Sequence, residues 1–147
     1  MTKKILIIMD PIESINVKKD TTYQLMLSAS KLKYKLYYLF PGTLAINSLE
    51  PVGDIAEIEV FENQNNFYKL SSASSQKISD FDHILMREDP PVDNNYFYKT
   101  FILDLVKNNN MKVINSGSVL RNYNEKLITL NFPKLIPDTI VTCNKKD

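Results

Sequence analysis

Glycine is scarce in this chain, occurring three times in 147 residues, at positions 42, 53 and 117, where average usage is about 7%. No two of the three fall close enough to build a loop that cradles phosphate, so no nucleotide-phosphate motif is found. Cysteine is scarcer still. Cys143 stands alone, cannot form an internal disulfide, and has no His or Asp at triad-like positions to make it a nucleophile. A lone cysteine is compatible with a reducing compartment. His83 is the only histidine, and with no second His or Cys nearby it reads as structural rather than as a metal ligand. An excess of one charge is also missing: eighteen Lys and Arg oppose seventeen Asp and Glu. A nucleic-acid groove needs a basic excess on one face, so no nucleic-acid partner is expected. Apolar runs such as 5–9 are far short of the ~20 residues of a membrane helix. Lys3 and Lys4 ahead of that run do not make it a signal peptide. The expectation is a cytoplasmic protein without a membrane partner.

What is present is ordinary globular composition, with 44% apolar and 24% charged residues. The length suits one domain with a real core and is too short for two of ordinary size. The continuous apolar run Ile5-Leu6-Ile7-Ile8-Met9 predicts a central strand covered on both faces, ended by Asp10-Pro11. Thr21 with Gln24 has the form of a capping box, and Asp20 adds helix-start character. Tyr23, Met26, Leu27 and Leu32 give a helical stripe. The segment 34–40 reads as a second strand, stopped by Pro41-Gly42. The chain thus opens β-α-β, the signature of a parallel sheet with a right-handed crossover.

Farther on, 44–46 and 55–61 predict a peripheral hairpin, and 71–76 a polar loop. The segment 82–86 reads as a third core strand, closed by Arg87-Glu88-Asp89-Pro90-Pro91. Asp93 should cap a helix whose apolar face is Phe97, Tyr98, Phe101, Ile102 and Leu105, ended by Asn108-Asn109-Asn110. Lys112-Val113-Ile114 is the next strand, followed by a short helix through Leu120 and another from Asn124 through Leu130. Pro133 and Pro137 bracket a turn, and Thr139-Ile140-Val141-Thr142 is strand-like. There are no internal repeats. The economical architecture is an α/β three-layer domain with a mainly parallel sheet.

In an open parallel sheet, ligands collect beyond the carboxyl ends of the strands. Two candidates fall there, Asp10-Pro11 and the 87–91 loop. Arg87 is the more telling, because its guanidinium offers a rigid fork of donors that matches a carboxylate or phosphate. The competing reading pairs Arg87 with Glu88 or Asp89 in a structural salt bridge. Tyr34, Tyr37, Tyr38 and Phe40 read as packing rather than as a base-stacking platform.

Several strings in order carry a resemblance. Met9-Asp10-Pro11-Ile12 with Ile15-Asn16-Val17-Lys18-Lys19-Asp20-Thr21, then Ile84-Leu85-Met86-Arg87-Glu88-Asp89-Pro90-Pro91, resemble the bacterial-type glutathione synthetases of the ATP-grasp superfamily. So do Val113-Ile114-Asn115, Leu120-Arg121-Asn122, Asn124-Glu125-Lys126-Leu127 and Pro137-Asp138-Thr139-Ile140-Val141-Thr142. Glu88 departs from the family, which often has Lys there, and 49–79 matches poorly.

The resemblance implies a Rossmann-like pre-ATP-grasp substrate domain over 1–121 and the start of an incomplete ATP-grasp domain over 122–147. It implies an ATP-dependent ligase joining γ-glutamylcysteine to glycine, in which ATP phosphorylates the cysteinyl carboxylate and the glycine amine attacks. Magnesium and basic side chains offset the charge in such transfers. By the same resemblance Arg87 holds the dipeptide and Lys126 touches ATP. The main ligands of ATP and Mg2+ belong to chain that is not in this sequence, so no catalytic residue or metal ligand is assigned, and the isolated chain is expected to be inactive. The alternative is a non-catalytic remnant that binds a small anionic peptide or a partner subunit. A flavodoxin-like nucleotide module is disfavoured by the missing glycine-rich turn. Leu127, Ile128, Leu130, Phe132, Leu135, Ile136, Ile140 and Val141 form an apolar set with little chain to cover it. Such surface favours fraying or self-association into a homo-oligomer.

Overall fold

Four apolar residues in succession, Ile5 to Ile8, form most of strand β1 (Lys4–Ile8), and all four are buried. Alternate side chains of a strand point to opposite faces, so a run without polar residues needs cover on both. Ile5 and Ile7 enter one apolar cluster with Tyr23, Met26 and Leu27, and Leu6 and Ile8 enter another with Tyr96 and Leu103. The first cluster lies beneath helix α1 (Thr21–Lys31) and the second beneath helix α2 (Asn94–Asp104). The protein is thus a three-layer α/β/α domain. The structure, a computed structural model, describes residues 2–106, 110–124 and 126–144.

Helix α1 begins one residue earlier than a Thr21 capping box implies. Asp20 is the N-cap, and its carboxylate accepts from the Tyr23 N–H at 2.6 Å. Thr21 is the first helical residue, which leaves its hydroxyl out of the cap. Leu32 lies beyond the helix and is exposed, so it does not extend the buried stripe. Strand β2 (Lys35–Leu39) then pairs parallel to β1, with Ile5 opposite Leu36.

The expected hairpin is present as β3 (Ala45–Asn47) and β4 (Glu50–Val60), turned by Ser48 and Leu49 with φ of 48° and 72°. It is not peripheral. Strand β4 runs eleven residues, pairs antiparallel with β2, and buries Ile55, Ala56 and Ile58. Strand β5 (Tyr68–Leu70) also pairs with β4, as does β6 (Ser74–Lys77), which falls in the segment read as a loop. Polar, small side chains hide such a strand from pattern reading, because its place is set by backbone ladder bonds and not by burial.

Strand β7 (His83–Met86) pairs parallel to β1 on the edge opposite β2, and β8 (Lys112–Ile114) pairs parallel to β7. The sheet order is β3-β4-β2-β1-β7-β8, with β5 and β6 on β4, and it is parallel from β2 to β8. Asp93 caps α2 as expected, accepting from the Tyr96 N–H at 2.9 Å. The buried face of α2 differs from the expected one. Tyr96, Thr100 and Leu103 face the sheet, while Tyr98 and Phe101 are 66% and 52% exposed. The spacing 96, 100, 103 is as helical as the apolar set, but a threonine at its centre disguises it. The helix ends at Asp104, before the asparagines expected to stop it; Asn108 and Asn109 lie outside the described residues.

Helix α3 (Gly117–Asn122) follows, with the Ser116 hydroxyl accepting from Val119 N–H. The helix expected over 124–130 is not formed among the described residues. One 3-10 turn (Ile128–Asn131) stands there, and Glu125 lies outside the described residues. The segment 139–142 makes no strand. Short helices and lone strands need an apolar face to pack against, and Phe132, Leu135 and Ile140 are exposed, the last 85%.

Residues beyond about Pro133 are therefore expected to exchange amide hydrogens quickly, with β1 and β7 protected. Limited proteolysis should cut first in this tail and leave a core ending near Arg121 or Lys134. Uniform protection through Val141 in a monomer would show that the tail is an integral part of the domain.

Candidate functional site

Parallel neighbours end on the same side of a sheet, so β1 and β7 deliver their next residues together. Ile8 stands opposite Met86, and the Arg87 N–H donates to the Ile8 carbonyl at 2.7 Å, one bond past the ladder. The chain then breaks away on both sides, as Asp10-Pro11 and as the 87–91 loop. These are joined again where the Asp89 N–H donates to Asp10 Oδ2 at 3.0 Å.

Arg87 does not pair with Glu88 or Asp89. Its Nε donates to Thr22 Oγ1 at 3.2 Å and its Nη2 to Thr21 Oγ1 at 2.8 Å, in the first turn of α1. Among the described residues no carboxylate forms an ion pair with it. The two hydroxyls engage the Nε–Nη2 edge of the guanidinium and leave the Nη1–Nη2 edge without a described partner. Glu88 turns instead to Lys99 of α2, in an ion pair whose side chains are each 20% exposed. The loop is therefore held by α1 through the Arg87 side chain, by β1 through the Arg87 N–H, by Asp10 through the Asp89 N–H, and by α2 through Glu88. Thr21 and Thr22 are partners of the candidate-site Arg87 that pattern reading missed. The available signal was a pair of hydroxyls in a first helical turn already capped by Asp20.

Beneath the 10–14 loop lies Tyr38 of β2, fully buried, whose hydroxyl oxygen accepts from the Ile12 N–H at 3.3 Å. Burial pushes its phenol up to about 12, against the lowering effect of the Ile12 hydrogen bond and with a further push from the charges of Glu13, Tyr68 and Asp10. At neutral pH it is an uncharged floor.

Lys126 sits elsewhere. It lines an open cleft of about 450 Å³ with Glu88, Asp89, Tyr96, Phe97 and Arg121, and its N–H donates to Asn124 Oδ1 at 2.9 Å. Arg87 and Lys126 are thus not brought together: Arg87 is turned to α1, and Lys126 lines the cleft that the loop's Glu88 and Asp89 also line. The cleft's far wall is fixed by Arg121. Its Nη1 donates to Thr100 Oγ1 at 3.0 Å, its Nη2 pairs with Asp104, and its guanidinium lies 4.1 Å from the Phe101 ring centre. Helix α3 can reach α2 this closely because residue 117 is glycine: a Cβ there would lie 2.1 Å from the Thr100 carbonyl oxygen.

Among the described residues no three His, Cys, Asp or Glu side chains group so as to hold a metal ion. No step of chemistry is assigned to magnesium or ATP on these residues. His83 lies in β7 between Ile5 and Lys112, with Nδ1 buried and without a hydrogen-bond partner among the described residues. No helix among the described residues is long and apolar enough to cross a membrane.

Fold and site together define a class: a mixed α/β domain whose charged loops follow the carboxyl ends of adjacent parallel strands, with one edge of an arginine fork left without a described partner. The chain matches the family described as "Prokaryotic glutathione synthetase, N-terminal domain" over residues 3–121, and it belongs to that family. It is 39% identical over 139 residues to the glutathione synthetase of Vibrio parahaemolyticus, covering 95% of this chain and 44% of that protein. It is 39% identical over 145 residues to that of Buchnera aphidicola (98% and 45%), and 38% identical over 142 to that of Salmonella typhimurium (97% and 45%). The chain thus spans under half the length of these curated relatives.

The raised Tyr38 pKa carries a stability consequence. A phenol whose folded value lies above its unfolded value of about 10 contributes fully below pH 10, and the contribution is lost as pH rises toward about 12. Unfolding free energies from urea titrations should fall across that window by on the order of 1 kcal/mol per pH unit more in the wild type than in Tyr38→Phe. Equal losses would show that Tyr38 is not the buried phenol described.

Proposed function

We propose that this chain is the substrate-holding amino-terminal part of a glutathione synthetase, which ligates γ-glutamylcysteine to glycine at the expense of ATP. The observation that carries the reading is the open edge of Arg87. Two threonine hydroxyls fix the guanidinium without neutralising it, which leaves a preorganised two-donor face for a carboxylate of the dipeptide. Family membership and the names of the relatives supply the reaction.

In the same reading residues 1–121 are the substrate domain and 122–147 begin an ATP-grasp domain. The family match ending at residue 121 supports that division. Lys126, on the cleft beyond α3, then lies toward the nucleotide, and Mg2+ and the remaining ATP contacts come from chain beyond this one. A cytoplasmic setting follows from the biosynthetic role.

Two outcomes test this. The 147-residue chain given γ-glutamylcysteine, glycine, ATP and magnesium should release no phosphate above background. Turnover of ~1 per second or more would place a complete active site within it. Arg87→Lys keeps the charge and loses the fork, so it should weaken γ-glutamylcysteine binding by calorimetry roughly tenfold to hundredfold. Unchanged binding would make Arg87 a purely structural residue.

A further inference from the structure

A guanidinium receives a carboxylate bidentately in two ways, side-on at Nε and one Nη, or end-on at the two Nη. At Arg87 the side-on edge is taken, because Nε donates to Thr22 Oγ1 at 3.2 Å and Nη2 to Thr21 Oγ1 at 2.8 Å. The two hydroxyls that close this edge are not equivalent. Thr21 is exposed, so water can replace its oxygen at little cost. Thr22 is 4% exposed, and Tyr23 and Met26 of the same helix are buried in the core beneath it. Burial keeps bulk water from taking the place of its hydroxyl. Its branched side chain is stiff at χ1, and the helical turn that carries it is fixed by the Asp20 cap. The acceptor that holds Nε is therefore rigid, buried and neutral.

We propose that Thr22 is a positioning residue, which commits Arg87 to end-on reception of the substrate carboxylate at Nη1 and Nη2. This rests on the reading that Arg87 holds the dipeptide, and it adds which edge of the fork does so and what sets that edge. With the Thr22 hydroxyl present, a side-on carboxylate has to displace a hydrogen bond made by a buried group. Without it, the Nε–H has no fixed acceptor, and the guanidinium turns about its last side-chain torsions to offer either edge. Orientation then has to be supplied at binding, and affinity falls although no group touching the carboxylate has changed. Thr21 adds a second bond to the same edge, but its exposed oxygen makes its share smaller.

The chain has two arginines, Arg87 and Arg121, so the Arg87 Nε–H is the arginine signal that Arg87→Lys removes from a nitrogen–proton correlation spectrum. On titration with γ-glutamylcysteine this signal should stay in place while the Nη protons of the same residue shift. A large shift of the Nε–H means side-on binding and overturns the proposal without recourse to any Thr22 variant. By calorimetry, Thr22→Val should bind γ-glutamylcysteine roughly tenfold more weakly and Thr21→Val about threefold more weakly. Thr22→Ser, which restores the hydroxyl on a less stiff side chain, should return to within about threefold of wild type. In an Arg87→Lys background no fork is left to orient, so Thr22→Val should add no further loss. A tenfold loss that persists there shows that Thr22 acts through the fold and overturns the proposal, as does wild-type affinity in Thr22→Val. If any of these occurs while Arg87→Lys alone still weakens binding, the Thr22 assignment fails and the Arg87 reading stands. Indifference to Arg87→Lys, or no wild-type binding at about 10 mM, overturns both.

Discussion

A strand with neighbours on both edges and helices over both faces can meet water only at its ends, and β1 is such a strand. Its four isoleucine and leucine side chains are divided evenly between the two cores. Parallel pairing with β2 and β7 closes its edges. Polar chemistry is thereby excluded from its length and gathered where it stops. The same holds for β7, whose last residue, Met86, is buried and whose next residue is Arg87. The position of the charged loops is a consequence of how completely the middle of the sheet is covered.

Around Arg87, the division of labour in the first turn of α1 matters. A capping threonine would have turned its hydroxyl toward the helix's own amides. Asp20 takes that task, and the hydroxyls of Thr21 and Thr22 are left to accept from the guanidinium. Neutral acceptors hold an arginine in place without cancelling its charge, which a carboxylate would do. The neighbouring Glu88 is kept from that role by Lys99, so the loop's own acid is committed to α2. Family membership alone does not reveal this arrangement; it depends on three elements meeting at one loop.

The parts of the fold that could be read from the sequence are those where burial and chemistry coincide. Strands β1, β2 and β7 announce themselves by apolar runs, and Asp93 by its position ahead of a helix. The misread parts are those where the two diverge. Thr100 is 0% exposed because its hydroxyl has partners in the Phe97 carbonyl and Arg121, while Phe101 is left on the outside under the Arg121 guanidinium. Hydrophobicity therefore points to the wrong face of α2. Strand β6 is polar and joins the sheet through its backbone, so periodicity is silent about it. The position of Arg87 at a strand end was legible, but its partners lie sixty-five and sixty-six residues away in sequence, beyond any local pattern.

The contact of Gly117 with α2 has one more implication. Thr100 is packed into the core and cannot retreat, so at residue 117 the backbone of α3 comes directly against the Thr100 carbonyl. Everything after α3, including the stretch bearing Tyr123 and Lys126, leaves from that point of contact. The span between the two banks of the cleft is gauged by a single hydrogen atom on the α-carbon of residue 117. A methyl group in its place would act as a spacer, moving one bank away from the other while every side chain that lines them stayed the same.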